Sequence, residues 1–209
     1  MKGKIISKNQ LRRLPFYLSY LKSKCNEGVL FISSPQIASG LGLSEEQVRK
    51  DLALVSRSYG KPKTGRNIQT LILDIEEYLG YKNTNSAILV GAGHLGSALF
   101  GYQGFAQYGL DIVAAFDNNP EKIGTTILDK HIYGLDMLEE VCSTLDVAIG
   151  IITVPAEAAQ EVCDRLVKIG VKAIWNFAPI KLDVDESVIV QNENMASSLA
   201  ILSSKLRKC

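Results

Sequence analysis

The sequence predicts an α/β chain in two parts, and three observations carry that prediction. The stretch Asn85 to Gly96 runs from a short apolar segment, Ala87 to Val90, into glycines at 91, 93 and 96, and then into the helix-forming Ser97-Ala98-Leu99-Phe100. Downstream, apolar runs of strand length alternate with segments of helical spacing, as in a parallel sheet with helices on its faces. Upstream, short helices marked by capping and glycine signals lie in a basic segment. Residues 1–82 hold 14 Lys and Arg against 7 Asp and Glu, a net of +7; the remainder holds 9 against 15, a net of −6, and the whole chain carries +1. The expected fold is an N-terminal winged helix-turn-helix (residues 1–80), then a Rossmann-like doubly wound parallel sheet (81–193), then a C-terminal helix (194–209).

At 209 residues the chain suits two unequal domains. With 46% hydrophobic and 22% charged residues it can bury real cores. No apolar run approaches the roughly 20 residues that span a bilayer, and the start Met-Lys-Gly-Lys-Ile-Ile-Ser-Lys lacks the apolar stretch of a secretory signal. A cytoplasmic protein with no membrane partner is expected. Cys25, Cys142, Cys163 and Cys209 form no close pair in sequence, which argues against a zinc site and against a disulfide framework. The basic front suggests that the N-terminal part meets a polyanion.

In chain order, Leu11 to Cys25 has apolar residues at 11, 14, 18 and 21, and Pro15 sets the expected start of a helix ending near Lys24. Phe31-Ile32-Ser33 reads as extended, and Ser34-Pro35 as an N-cap with a first-turn proline opening a helix to Leu41. Gly42 turns the chain, and Ser44-Glu45-Glu46-Gln47 has the form of a capping box opening a second helix to about Ser56. Two short helices joined by a glycine turn make a helix-turn-helix. On the second helix Val48, Leu52 and Val55 fall on one side, Lys50 and Arg57 fall opposite, and Gln47 and Arg49 flank them. Arg and Lys can donate to guanine and Gln can pair with adenine, so Ser44, Gln47, Arg49, Lys50 and Arg57 are expected at DNA. Tyr59 to Arg66 reads as a projecting wing whose Lys61, Lys63 and Arg66 meet phosphates or a narrow minor groove. Ile68 to Leu79 is an amphipathic helix, and Gly80 to Asn85 a linker.

The glycine turn has the form that grips a dinucleotide. Gly91 permits the turn, Gly93 lets a pyrophosphate approach the backbone, and Gly96 allows close helix packing, so Gly91, Ala92, Gly93, His94, Leu95 and Gly96 are expected at the phosphates. The next strand, Leu110 to Asp117, ends on a carboxylate 21 positions after Gly96, suited to an adenosine ribose, with Asn118 beside it. A strand near Ile127 to Tyr133, a helix Leu135 to Cys142, a buried strand Val147 to Val154 and a helix Ala156 to Ile169 follow. Ala173 to Phe177 and Val188 to Val190 complete the strands. Gly91, Asp117, Thr153, Pro155 and Asn176 to Pro179 would gather at the switch-point crevice. Asn194 to Leu206, apolar at 195, 199, 202 and 206, is an amphipathic helix that either covers its own sheet or crosses to a second subunit.

A nicotinamide site invites a search for a catalyst. The Tyr-x-x-x-Lys spacing occurs as Tyr20/Lys24 and Tyr78/Lys82, both ahead of the glycine turn rather than after it. His94 and His131 are the only histidines, and from Gly91 onward 119 residues remain, enough for a nucleotide domain but not for a separate substrate domain. Binding without turnover is expected. The competing readings are an NAD-dependent dehydrogenase with a fused regulatory domain, and a coenzyme A binding module, which would leave Asp117 without a ribose to hold.

Arg13-Leu14-Pro15, Arg49-Lys50-Asp51-Leu52, Gly91-Ala92-Gly93-His94-Leu95-Gly96, Tyr102-Gln103-Gly104-Phe105, Ala114-Ala115-Phe116-Asp117, Thr153-Val154-Pro155-Ala156 and Asn176-Phe177-Ala178-Pro179 form a combination with a known counterpart. Over nearly its whole length the chain resembles the Rex family of bacterial redox-sensing transcriptional repressors. The resemblance implies a homodimer with exchanged C-terminal helices on a palindromic double-stranded operator, NADH and NAD⁺ competing for one site, and DNA release when NADH is bound. It also implies that Tyr102, Phe105, Asn176, Phe177, Ala178 and Pro179 lie near the nicotinamide, with Thr153, Val154 and Pro155 in the same crevice. Two positions depart from the family pattern. Arg66 stands where the wing usually has an aromatic, and Asn194 where the last helix typically opens with aspartate.

Overall fold

The computed structural model describes residues 6–57 and 64–207. The chain divides into two compact units, residues 1–83 and 84–209.

The first unit contains α1 (Lys8–Asn26), β1 (Phe31–Ile32), α2 (Ser34–Leu41), α3 (Glu45–Val55), β2 (Arg66–Asn67) and α4 (Ile68–Tyr78). Its helices bury one stripe each: Leu14, Tyr17, Leu18 and Leu21 from α1, Ile37 from α2, Val48 and Leu52 from α3, and Ile68, Leu71 and Ile75 from α4 form one core. Helix α1 starts earlier than Pro15 suggests. Ser7 and Gln10 form a full capping box ahead of it, and Pro15 lies inside the helix. The bond lost at Pro15 is offset by the burial of the residues around it on the inner face. Similarly, Ser33 rather than Ser34 caps α2, in a reciprocal box with Gln36. At α3 only half of the expected box forms: Ser44 Oγ accepts from the Gln47 N–H at 3.2 Å. Gly42, at φ +64°, makes the turn between α2 and α3.

The second unit contains β3 (Asn85–Val90), α5 (His94–Phe100), a 3₁₀ segment (Gln103–Tyr108), β4 (Leu110–Asp117), β5 (Thr126–Ile127), β6 (Lys130–Gly134), α6 (Leu138–Ser143), β7 (Val147–Ile152), α7 (Ala156–Lys168), β8 (Ala173–Asn176), β9 (Ile189–Asn192) and α8 (Met195–Leu206). The sheet order is β5-β6-β4-β3-β7-β8-β9. Among the described residues of this sheet, only the β5–β6 pair is antiparallel. Successive strands thus run outward from β3 in one direction and then from β7 in the other, the doubly wound arrangement expected from the sequence.

The run expected as one strand, Ile127 to Tyr133, is a hairpin instead. Leu128 and Asp129 take φ of +49° and +63° at its tip, which the apolar pattern alone does not announce. One sheet face, with Ile88, Val90, Phe116 and Ile152, packs against α6 and α7; the other, with Ala87, Leu89, Ala115 and Ile151, packs against Phe100 of α5. Helix α8 buries nothing, and its Met195, Leu199, Leu202 and Leu206 are 60–75% exposed. Among the described residues no helix is long and apolar enough to cross a membrane.

Candidate functional site

Strand register builds the crevice of the second unit. Val90 lies opposite Phe116 on one side and Ile152 on the other, and Ile152 lies opposite Asn176. The residues that follow these strand ends, together with Asp117 at the last position of β4, therefore lie at one edge of the sheet. The ends are tied together: the Gly91 N–H donates to Phe116 O at 2.8 Å, the Thr153 N–H to Val90 O at 2.9 Å, and Thr153 Oγ1 to Gly91 O at 2.7 Å.

The three glycines serve different purposes there. Gly91 sits at φ +102°, and a Cβ on it would lie 2.8 Å from the Thr153 backbone. A Cβ on Gly96 would lie 1.9 Å from Gly91 O, so this position is closed by the protein itself. Around Gly93 a Cβ would meet nothing within 4 Å. That space opens onto a cavity of about 280 Å³ lined by Val90, Gly91, Gly93, Asp117, Asn118, Lys122, Leu135, Thr153, Val154, Pro155 and Ala158. Gly93 is also the N-cap of α5 and brings no side chain to the first N–H groups of that helix. An approaching anion has both room and donors.

Asp117 is held by its own turn. Its Oδ1 accepts from the Asn119 N–H at 2.7 Å, and its Oδ2 lies 3.4 Å from Lys122 Nζ. Of the residues expected at the cofactor, Gly91, Gly93, Asp117, Asn118, Thr153, Val154 and Pro155 line the cavity. Ala92 and Gly96 are buried in packing, and His94 and Leu95 are exposed at the start of α5.

Of the remaining expected residues, Tyr102, Phe105 and Phe177 join Trp175 in a run of ring contacts. Tyr102, 53% exposed, meets Phe105 edge-on at 4.9 Å between ring centroids, Phe105 meets Trp175 at 5.7 Å, and Trp175 meets Phe177 at 4.9 Å. Trp175 Nε1 donates to Glu193 at 3.2 Å. Asn176 is fully buried: its Nδ2 donates to Ile180 O and Asn192 Oδ1, and its Oδ1 accepts from the Ala178 N–H. Its side chain braces the loop instead of reaching outward. Ala178 is buried and Pro179 is exposed.

The second candidate site is the outer face of α3. Val48, Leu52 and Val55 point inward as the spacing requires, while Arg49 and Lys50 are 65% and 70% exposed and pair with Glu45 and Glu46 one turn back. The hydrogen bond from Lys50 lowers the pKa of the Glu46 carboxyl, and the same bond raises that of the Lys50 ammonium. The inward face carries one charge that helical spacing alone did not reveal. Asp51, 1% exposed, accepts from Arg13 Nε and Nη2 at 2.7 and 2.9 Å, from Tyr17 Oη at 2.7 Å and from Gln10 Nε2 at 3.0 Å. Burial opposes its ionisation, but the bonds from Arg13, Tyr17 and Gln10 outweigh it and hold the carboxyl below its usual range.

A polar cleft lined by Gln10, Arg13, Ser44, Glu46, Gln47, Lys50 and Asp51 lies beside this network. Arg57 is exposed and pairs with Glu77, and its N–H donates to Asp74 at 3.0 Å. Arg66 differs from expectation. It is part of β2 opposite Ile32, half-buried, with Nη1 donating to Ser56 Oγ at 3.0 Å, and burial lowers its pKa. Lys61 and Lys63 lie outside the described residues. Sequence reading passed over Lys122, Leu135, Ala158, Trp175 and the Gln10–Arg13–Asp51 network. Lys122 carried a faint signal, a cation one short turn beyond Asp117.

Comparison with known proteins finds matches to both units. The model "CoA binding domain" matches residues 82–180, and "Putative DNA-binding protein N-terminus" matches residues 5–53. A protein of Treponema denticola named redox-sensing transcriptional repressor Rex is 44% identical over 96% of this chain and 95% of its own length. One of the same name from Carboxydothermus hydrogenoformans is 43% identical over 100% of both. Among solved structures, RSP in complex with β-NAD⁺ and operator DNA matches with a TM-score of 0.92 and 35% identity over 98% of this chain and 94% of that one. RSP in complex with β-NADH matches with a TM-score of 0.86, also at 35% identity, over 98% and 96%. With full-length relatives at this identity, the chain belongs to the Rex family of redox-sensing transcriptional repressors.

Proposed function

We propose that the chain is a redox-sensing transcriptional repressor that binds operator DNA through its first unit and NADH or NAD⁺ through its second, and that releases DNA when NADH replaces NAD⁺. The observation that carries the reading is the pairing, in one chain, of an open pyrophosphate approach at Gly93 leading to Asp117 with an outward face on α3 that presents Arg49 and Lys50. The residues fit the dinucleotide in a stated way. The N–H groups after Gly93 take the pyrophosphate, Asp117 takes the adenosine ribose, and the Tyr102, Phe105 and Phe177 rings, with the loop through Pro179 held by Asn176, shape the nicotinamide end. The cofactor's two redox forms differ by one positive charge on the nicotinamide ring.

On the DNA side, Ser44, Gln47, Arg49, Lys50 and Arg57 read or anchor the major groove, with Lys61 and Lys63 at phosphates. The intrahelical pairs Arg49–Glu45 and Lys50–Glu46 yield to phosphate and base-edge acceptors. The protein acts as a homodimer on a palindromic operator, in the cytoplasm. The exposed apolar residues of α8 support this reading, since a contiguous exposed apolar face marks an interaction surface. Two recognition helices must lie about 34 Å apart to enter successive major grooves. Near-complete reversal of DNA occupancy requires roughly 5.5 kcal/mol of preference between the two states.

The domain assignment follows the same division, with DNA binding in residues 1–80, NAD(H) in 81–193 and dimerisation in 194–209. We read the protein as a regulator without turnover, because both Tyr-x-x-x-Lys pairs belong to the first unit while the crevice belongs to the second. A gel shift on a palindromic DNA library, run in parallel with NAD⁺ and NADH, tests the reading. Retention with NAD⁺ and release with NADH is the expected result, and equal DNA affinity with both rejects it.

A further inference from the structure

A carboxylate at the adenosine ribose is ordinarily a barrier to a 2′-phosphate, since two anions would meet. In this chain the carboxylate has company. Lys122 Nζ lies 3.4 Å from Asp117 Oδ2, and both side chains line the same cavity. The root of Lys122 is fixed: its N–H donates to Asn119 O at 3.0 Å, and its carbonyl accepts from the Thr125 N–H at 3.0 Å and the Thr125 hydroxyl at 2.6 Å. Its side chain is 35% exposed, so the ammonium can swing on that anchored root. Asp117 Oδ1 is already engaged by the Asn119 N–H, which leaves Oδ2 as the oxygen that Lys122 and a ribose hydroxyl both address.

We propose that Lys122 is a specificity-determining residue of the nucleotide site. Against an unphosphorylated ribose its ammonium stays with Asp117. Against a 2′-phosphate it turns to the phosphate, which carries more negative charge and three acceptor oxygens. The pair presents a near-neutral surface to the 2′ position, so the site rejects NADPH much less than a lone aspartate would. The proposal rests on reading the crevice as a dinucleotide site.

Equilibrium dialysis of the wild type and of Lys122→Met with NADH and with NADPH tests it. The expected result is that the ratio of NADPH to NADH dissociation constants rises about tenfold or more in Lys122→Met, with each constant measured separately in the variant. Lys122→Arg should keep the wild-type ratio. Asp117→Asn, which retains the lysine, should lower it. An unchanged ratio in Lys122→Met with NADH still bound overturns the proposal and leaves the dinucleotide reading standing. Wild-type protein that binds neither nucleotide overturns both. If Lys122→Met does not fold, Lys122→Gln is read by the same ratio.

Discussion

Asp51 and Asp117 are two carboxylates on regular elements, one in each unit, and the structure treats them in opposite ways. Asp51 has four donor contacts from three side chains of α1 and almost no exposed surface. Asp117 has one backbone N–H, one long contact with a lysine, and a cavity in front of it. A carboxylate with its acceptor capacity filled is an anchor; one with capacity left over at a cavity is a place for a ligand. Gly96 and Gly93 repeat the contrast in the backbone, since the first is closed by Gly91 O and the second faces open space.

The sharpest way to break this comparison is to remove the anchor. Asp51→Ala strands Arg13 and the Tyr17 hydroxyl around a vacated acceptor and should cost about 3 kcal/mol, read as a loss of first-unit stability in denaturant. A cost under about 0.5 kcal/mol would mean that the network is ornamental. Gly96→Ala should also destabilise, by about 1–3 kcal/mol in the second unit. Gly93→Ala and Asp117→Ser should do the reverse, leaving thermal stability nearly intact while weakening NADH by about tenfold or more. A stability loss in either variant with NADH affinity unchanged would place them with the anchors.

Acidity probes the network of the first unit. The carboxyl of Asp51 is held below its ordinary value of 3.8, so its contribution to stability is complete above that pH and is lost as pH falls through the lower folded value. Burial raises the Tyr17 phenol above its ordinary value of 10.0, so its contribution is complete below pH 10 and is lost as pH rises further. Asp51→Asn should therefore flatten the acid limb of first-unit stability measured across pH 2 to 5. The smallest effect is expected on the outer face of α3. Lys50→Ala should leave stability unchanged and alter sequence preference in a binding-site selection, whereas Lys61→Ala should weaken all sequences and reduce the salt slope by about one.

Much of this was legible before any coordinates. The helix-turn-helix was visible from Gly42 and the inward stripe Val48, Leu52 and Val55, because helical periodicity is a local property. The doubly wound sheet was visible from alternating strand and helix patterns, and the carboxylate at the strand end beside the cavity from its distance after Gly96. Arg66 was not legible as a half-buried strand residue, since its partners Ser56 and Ile32 are set by chain folding. Nor was the role of Asn176, whose bonds go to a later loop and to β9.

The sequence by itself determined where most helices and strands form, where the glycine turn between β3 and α5 lies and which face of α3 is polar, because those follow from short-range spacing and backbone sterics. Only the tertiary structure decided which charges are spent and which are free. Asp51 became an anchor because α1 brings Gln10, Arg13 and Tyr17 against α3, and Asp117 acquired Lys122 because a turn folds the lysine back over the strand end. The physical reason is that hydrogen-bond saturation depends on neighbours distant in sequence or placed by an irregular turn, and no periodicity encodes them.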